Sequence, residues 1–435
     1  MTKKYDSPQK PNLSTTRGTA PRPPLFDSAA FVLLEITKLV LGFAKRRERT
    51  VNIFKPCALF LAMALSFFFV SCGGSDNEDG DVDHAAIDDD HAAVDDDANN
   101  PGGDDDSDRL QHMFDEMGYE QYIGIQYTRS TPGPNGYTYY YYSPDDCRCT
   151  FGAEMKVAVH PGTANKVMLF MEGGGAEWPG GGFAVALNFP WDIGFKSFDE
   201  ENPLHDWSFV YLPYCDNSIH SGDSEAFYGG RMHYHHGARQ IAAAVTLMLE
   251  LFPNPEKILV AGSSAGGYGT FIGWGLVKSQ YMNTDTYIMN DSGTGFWNPY
   301  DPETWEIIKE AWNIHIPSDC TKCQGSIITY LYEVFMRYDP QVRIGMFSSY
   351  RDWIISGWFL KMNPTVFEGT LMSITDEIAR DYPERFHRFF VARNTHTTYE
   401  FLLPGGPKYS IRGTTLYQWI GQLVDEDPAW KDLLE

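Results

Sequence analysis

The residues with the clearest chemical potential are Gly262-Ser263-Ser264-Ala265-Gly266, a Gly-x-Ser-x-Gly pattern. The apolar run Ile258-Leu259-Val260-Ala261 precedes it, and a helix-compatible stretch follows, so Ser264 is predicted at a sharp strand-to-helix turn. Small neighbours let such a turn close and leave the serine hydroxyl projecting above the sheet. The alternative is a structural glycine-rich turn. We predict that Ser264 is a nucleophile.

A second glycine cluster lies upstream. Val167-Met168-Leu169-Phe170-Met171-Glu172 has the pattern of a buried strand and ends in Gly173-Gly174-Gly175. Glycines there allow backbone N–H groups to approach a developing oxyanion, and the residue after the nucleophile supplies another donor. We predict an oxyanion hole from Gly174, Gly175 and Ala265. A flexible loop and a phosphate cradle are the alternatives, but the lysine and hydroxyl of a P-loop are missing.

A serine nucleophile needs a histidine base and an acid that orients it. In this class of fold the three residues follow one another along the chain in the order serine, acid, histidine. His387 lies inside the apolar pattern of residues 386–391, where a structural histidine is the ordinary outcome. His396 lies just beyond, in a polar loop. We predict that His396 is the base, and the alternative is a solvated loop histidine.

Two aspartates are candidates for the acid that orients the histidine. Asp291 follows the first strand predicted after the nucleophile, and Asp352 follows the next one. The loop ahead of the final strand is the usual place for the acid, because it lies beside the histidine loop. We therefore predict that Asp352 is the acid, with Asp291 as the alternative. If Asp352 is the acid, we expect Asp291 to be a buried loop anchor or a substrate contact.

The elements that must position these residues alternate along the chain. Apolar and alternating patterns predict strands at residues 137–142, 155–160, 166–172, 208–213, 257–261, 287–290, 343–348 and 386–391. Helical patterns occur at residues 236–252, 266–278, 304–312 and 415–423. This order predicts an α/β-hydrolase-type fold, a single catalytic domain with a mostly parallel central sheet and crossover helices, over residues 113–435.

The remainder of the chain differs in composition. Residues 73–108 hold 15 acidic and no basic side chains and so contribute -15 to the net charge of -24. Like-charge repulsion and the lack of apolar bulk predict a disordered tether over residues 73–112. Calcium binding by the aspartates is the alternative, although the glycine and distal glutamate of an EF-hand are missing. An acidic chain also excludes nucleic acid as a partner class.

Residues 51–72 resemble a lipoprotein signal peptide. The segment has a basic residue near its start, continues with an apolar run too short to span a bilayer comfortably, and ends in Ser71-Cys72. It departs from the usual pattern at Phe69, where a leucine is common. We expect export and acylation at Cys72, which would anchor the domain to a membrane at the cell surface or in the periplasm. We expect residues 1–50 to precede the natural start, and the alternative is a cytoplasmic extension.

The main body contains five cysteines. The close pairs Cys147-Arg148-Cys149 and Cys320-Thr321-Lys322-Cys323 suggest disulfides in an exported protein, with one thiol left over or paired outside the domain. A zinc site is the weaker alternative, because the spacing is unlike that of known zinc sites.

Several separated stretches together resemble the pectin acetylesterase and Notum family. They are Leu169 to Gly175, Gly262 to Gly267, Asn290-Asp291-Ser292-Gly293, the segment Tyr214-Cys215-Asp216 that leads to Gly222-Asp223, and the histidine loop. The resemblance covers roughly residues 137–401. Tyr350-Arg351-Asp352-Trp353 resembles the family's tyrosine-aspartate-x-tryptophan segment with the aspartate displaced by one residue. The family's cysteine after the oxyanion glycines is replaced by the sequence Ala176-Glu177-Trp178, so its disulfide is absent and Cys147 or Cys149 must pair otherwise.

The resemblance implies an ester hydrolase that uses no metal or cofactor. We expect it to remove O-acyl groups, foremost O-acetyl, from a carbohydrate or another ester. Four aromatic residues are candidates for stacking on sugar or lining an acyl pocket, with plain core packing as the alternative: Trp178, Trp297, Tyr300 and Trp353. A non-catalytic polysaccharide-binding lipoprotein and a lipase, peptidase or protein deacylase on the same scaffold are the competing functions.

Overall fold

The computed structural model describes residues 104–186, 190, 194–323, 326–398 and 409–435. The predictions made for residues 1–50, for residues 51–72 with Cys72, and for residues 73–103 lie outside the described residues. The described part of the chain is built around one large sheet.

The central sheet has ten strands in the order β1-β2-β3-β7-β4-β10-β11-β12-β13-β16. The first four strands in this order, β1, β2, β3 and β7, are antiparallel to their neighbours among them. Every pair from β7 onward in the sheet is parallel. The fold is therefore of the predicted α/β-hydrolase type. The bounds are β1 Tyr127–Pro132, β2 Thr138–Tyr142, β3 Lys156–His160, β4 Lys166–Met171, β7 Ser208–Leu212, β10 Lys257–Ser263, β11 Asp285–Asp291, β12 Arg343–Ser349, β13 Phe386–Val391 and β16 Leu433–Leu434.

The helices cover both faces of this sheet. Side chains alternate along a strand, so Ile258 and Val260 of β10 pack into one core, while Leu259 and Ala261 pack into the other, which contains Trp419. The helices are α1 Asp104–Met117, α2 Gly237–Leu251, α3 Ala265–Gln280, α4 Pro302–Trp312, α5 Leu331–Tyr338, α6 Pro364–Asp381 and α7 Leu416–Val424, with a π-helix at Ile354–Phe359.

All eight predicted strands and all four predicted helices are present, with ends shifted by at most two residues. Three small two-stranded sheets were not predicted: β5 Gly175–Trp178 with β6 Gly181–Ala184, β8 Ser224–Tyr228 with β9 Arg231–His235, and β14 Ser410–Ile411 with β15 Thr414–Thr415. Their short, polar or glycine-rich strands carry a weak periodic signal.

The predicted tether over residues 73–112 is wrong at its end, because helix α1 already begins at Asp104. Leu110, Met113, Phe114 and Met117 follow the helical spacing i, i+3, i+4 and i+7 and are all buried in the core. The burial of this face stabilises the helix against the core, and the folded domain starts before residue 113.

The close pair Cys147 and Cys149 does not form a disulfide, and one of the two pairs otherwise, as the family resemblance implied. Cys149 pairs with Cys215, 66 residues away, and Cys147 stays reduced and buried, where burial raises its pKa to about 12. The Cα atoms of Cys149 and Cys215 lie 4.9 Å apart, within the range that a disulfide spans. The predicted Cys320–Cys323 disulfide is confirmed.

Within the described residues, no helix combines the length and the apolar character needed to cross a lipid bilayer.

Candidate active site

Ser264 occupies the turn between β10 and α3. Its φ of 56° and ψ of -118° lie outside the usual regions for a residue with a side chain, and its N–H donates to the Asp291 carbonyl at 2.7 Å. The turn has no room for larger neighbours, because a Cβ on Gly262 would lie 2.1 Å from the Gly266 carbonyl oxygen. Backbone strain of this kind persists only where the surroundings enforce it and is common at reactive residues.

His396 connects Ser264 to Asp352. Its Nε2 lies 2.8 Å from Ser264 Oγ, and its Nδ1 lies 2.7 Å from Asp352 Oδ2. With the proton on Nδ1 donated to the carboxylate, Nε2 is left to accept the serine hydroxyl. The structure thus brings three of the residues selected from the sequence into one hydrogen-bonded chain. Such a chain can make the hydroxyl a nucleophile.

Asp352 is fully buried and fixed by its own loop. Its second oxygen, Oδ1, accepts the N–H groups of Ile354 and Ile355 at 3.0 and 3.1 Å, at the start of the π-helix. These bonds satisfy the carboxylate and orient Oδ2 toward His396. The shift of one position from the family pattern therefore does not keep Asp352 from reaching the imidazole.

The acid loop and the histidine loop are joined to each other. The Trp353 N–H donates to the Asn394 carbonyl at 3.3 Å, and the hydroxyls of Ser349 and Thr395 lie 3.0 Å apart. β12 and β13 are parallel neighbours, so the loops after them leave the same edge of the sheet. This adjacency brings the acid to the base.

Asp291, the alternative acid, binds other groups. It is fully buried at the end of β11, accepts the Ser263 hydroxyl at 2.6 Å, and accepts both the N–H and the hydroxyl of Thr398 at 3.0 and 2.8 Å. Burial raises its pKa to about 6, while the bonds from Ser263 and Thr398 oppose that rise. Asp291 therefore links the serine turn to the histidine loop, as a buried loop anchor.

The predicted oxyanion donors lie beside Ser264. Gly175 and Ala265 line the same cavity as Ser264, and a Cβ on the preceding Gly173 would come within 2.9 Å of Ser264 Cβ. The Gly174 carbonyl accepts a hydrogen bond from the Val185 N–H at 2.8 Å, and the Gly175 carbonyl accepts one from the Tyr214 hydroxyl. Ala265 is the first residue of α3, where N–H groups have no partner within the helix. Their role as oxyanion donors remains a prediction.

An apolar cavity adjoins Ser264. Helix α3, helix α4, the π-helix and the segment around Phe296 contribute its walls, which are rich in aromatic rings: Phe271, Phe296, Trp297, Trp305, Trp312 and Phe359. Apolar walls with few polar groups suit the apolar part of a ligand. Most of these residues were missed from the sequence, because an amphipathic helix does not reveal what its buried face surrounds.

Two of the four aromatic candidates lie at or behind the cavity wall, and the other two are exposed on the surface. Trp297 lines the cavity, and Trp178 packs behind it with ring centroids 5.2 Å apart. Tyr300 and Trp353 are 79% and 55% exposed, and neither lines the cavity.

In the described part of the chain, one group of carboxylates is close enough to hold a metal ion, formed by Glu333, Glu377 and Asp381. The Lys322 ammonium already lies 2.9 Å from Glu333 and 2.7 Å from Glu377. A lysine in this position neutralises the carboxylates, so the group is explained as an ion-pair network.

Comparison with known families finds one match. Residues 193–326 match the model of the family described as Pectinacetylesterase. The matched segment contains Ser264 and stops before Asp352 and His396. A search of curated proteins finds no significant match.

Proposed function

We propose that this chain, which matches the Pectinacetylesterase family model over residues 193–326, belongs to that family of ester hydrolases and is a serine carboxylic-ester hydrolase that removes O-acyl groups. The observation that carries the proposal is the hydrogen-bonded chain from Ser264 through His396 to Asp352 at a strained turn.

In the proposed reaction, His396 Nε2 takes the proton of Ser264 Oγ as the oxygen attacks the ester carbonyl carbon. The negative charge that develops on the carbonyl oxygen meets the N–H groups of Ala265, Gly174 and Gly175. The imidazolium then protonates the leaving alcohol, and an acyl-serine remains. Water attacks this second ester with His396 again acting as base, which releases the acid and restores Ser264.

We propose an O-acetylated polysaccharide as the substrate, on the ground of the family match. The apolar cavity favours a second candidate, an ester with a longer acyl chain, as on a lipid or an acylated protein. An acetyl group buries a single methyl, whereas walls of tryptophan, phenylalanine and isoleucine can bury many methylenes, each worth about 0.8 kcal/mol.

The experiment compares p-nitrophenyl acetate, a long-chain p-nitrophenyl ester and acetylated pectin or xylan as substrates. Higher kcat/KM on the acetates supports the first candidate, and higher kcat/KM on the long-chain ester supports the second. Ser264→Ala should lower turnover of every substrate by about 10⁴-fold or more, because alanine cannot form the acyl-enzyme. Near-normal turnover by folded Ser264→Ala would refute the mechanism. Polysaccharide binding without hydrolysis by the wild type would instead support a binding protein.

We also propose that the enzyme is exported and held at a membrane by acylated Cys72, as the lipoprotein-like segment before it suggests. Mass spectrometry of the mature N-terminus tests this proposal, and residues 1–71 still attached in the native host would contradict it.

A further inference from the structure

A buried ion pair lies at the end of β4, directly before the glycine loop. The Lys196 ammonium lies 2.6 Å from Glu172 Oε2, and the two side chains are 2% and 6% exposed. The same oxygen accepts the hydroxyl of buried Tyr211 at 3.0 Å. The ammonium also faces the rings of Phe170 and Tyr211, with centroid distances of 4.6 and 4.9 Å. The Glu172 carboxylate is therefore held in one orientation.

The other carboxylate oxygen of Glu172, Oε1, accepts the Gly173 N–H at 3.2 Å. The backbone carbonyl of Glu172 lies 2.8 Å from buried His220 Nε2. The peptide group between Glu172 and Gly173 is thus held on both its carbonyl and its amide side. It comes directly before the peptide groups that carry the N–H groups of Gly174 and Gly175.

This peptide group touches the nucleophile turn. A Cβ on Gly173 would lie 2.6 Å from the Ser263 carbonyl oxygen and 2.9 Å from Ser264 Cβ. A small rotation here would therefore change the distance between the predicted oxyanion donors and the carbonyl that Ser264 attacks. Misplacement by about 1 Å can cost on the order of 10²-fold in rate.

Stability alone does not explain the pair, because a buried ion pair is often no more stabilising than well-packed apolar side chains of the same volume. An apolar pair, however, offers no acceptor to the Gly173 N–H. We propose that Glu172, held by Lys196 and Tyr211, is a positioning residue that aims the N–H groups of Gly174 and Gly175 at the substrate's carbonyl oxygen. This inference rests on the proposed esterase function.

The first test variant is Glu172→Leu/Lys196→Met, which replaces the ion pair by apolar groups. We expect kcat on p-nitrophenyl acetate to fall about 10- to 100-fold, less than the effect of deleting a donor, with KM changed less than threefold. Sulfur is a weak hydrogen-bond acceptor, so the corresponding thionoester gains little from an oxyanion hole. The preference for the oxygen ester over the thionoester should therefore fall in this variant.

The matched control is Lys278→Met/Asp339→Leu. This second buried pair has nitrogen and oxygen 2.9 Å apart. Lys278 lies near the C-terminal end of α3, about 20 Å of helix from Ser264, and Asp339 neighbours Thr286 at the start of β11. The control variant should leave kcat and the thionoester preference unchanged, whatever its effect on stability. Wild-type kcat and preference in folded Glu172→Leu/Lys196→Met would overturn the proposal.

Glu172→Gln is the second variant and keeps the size of the side chain. Its amide has one acceptor oxygen, so it can satisfy either Gly173 or the Lys196 and Tyr211 pair, and kcat should fall at least threefold. An unchanged kcat would also overturn the proposal, even if the double variant does not fold. Ser264→Ala, assayed in parallel, separates the esterase function from the positioning role of Glu172. If Ser264→Ala stays active, the proposed function fails. If it is inactive while both Glu172 variants have normal kcat, only the positioning role fails.

Discussion

Asp291 and Asp352 are both fully buried at the carboxyl edge of the sheet, but they bind different partners. Asp352 contacts the His396 ring, so Asp352→Asn should lower turnover on the order of 10⁴-fold with little change in melting temperature. Asp291 binds Ser263 and Thr398, so Asp291→Asn should mainly destabilise the protein, by about 1–3 kcal/mol, and lower turnover less. The measurements are kcat and melting temperature of both variants. Loss of activity in folded Asp291→Asn with activity kept in Asp352→Asn would reverse the assignment.

The raised pKa of Asp291 predicts a pH dependence of stability. The folded protein holds this proton up to a pH of about 6, whereas the ordinary value is 3.8, so the folded state binds the proton more tightly than the unfolded chain. The contribution of Asp291 to the free energy of unfolding is therefore largest below about pH 3.8 and is lost as the pH rises to about 6. The melting temperature of the wild type minus that of Asp291→Asn should fall over this range and stay constant above it. A difference that grows with pH would contradict this prediction.

At the level of the element, helix α1 is expected to be part of the folded core. Phe114 is 2% exposed and packs edge-on against Trp274 of α3. Phe114→Ala should lower the free energy of unfolding by about 3–5 kcal/mol, because it leaves a cavity between two helices. Chemical denaturation measures this, with Asp115→Ala on the exposed face as the control, expected to change stability by at most about 0.5 kcal/mol. Equal effects of the two substitutions would show that α1 does not pack as described.

At the scale of the whole molecule, the two disulfides should differ in their contribution to stability. The Cys149–Cys215 bond closes a loop of 66 residues and Cys320–Cys323 one of three, so loop-closure entropy predicts losses of about 4 and about 2 kcal/mol when they are removed. Denaturation of Cys149→Ala/Cys215→Ala and Cys320→Ala/Cys323→Ala tests the order. The prediction fails if the short loop contributes as much as the long one.

Features that depend on neighbouring residues were predictable from the sequence. The small residues around Ser264, between an apolar run and a helical stretch, identified the turn. Periodicity identified the strands of the parallel half of the sheet except the two-residue strand β16. Parallel strands end at a common edge, so the loops carrying Gly174, Asp352 and His396 were expected to meet the serine. Helix α1 had the spacing of a buried face, but the aspartates before it dominated the composition.

Features that depend on which distant segments meet were decided only by the tertiary structure. Strand β11 lies between β10 and β12, which places Asp291 where it joins the serine turn to Thr398 and leaves the imidazole to Asp352. Cys149 found a partner 66 residues away, and the cavity has walls from segments between Gly175 and Phe359. Residue patterns encode local backbone preference and burial, whereas these contacts follow from the packing of whole elements, in which side chains remote in sequence compete for the same space.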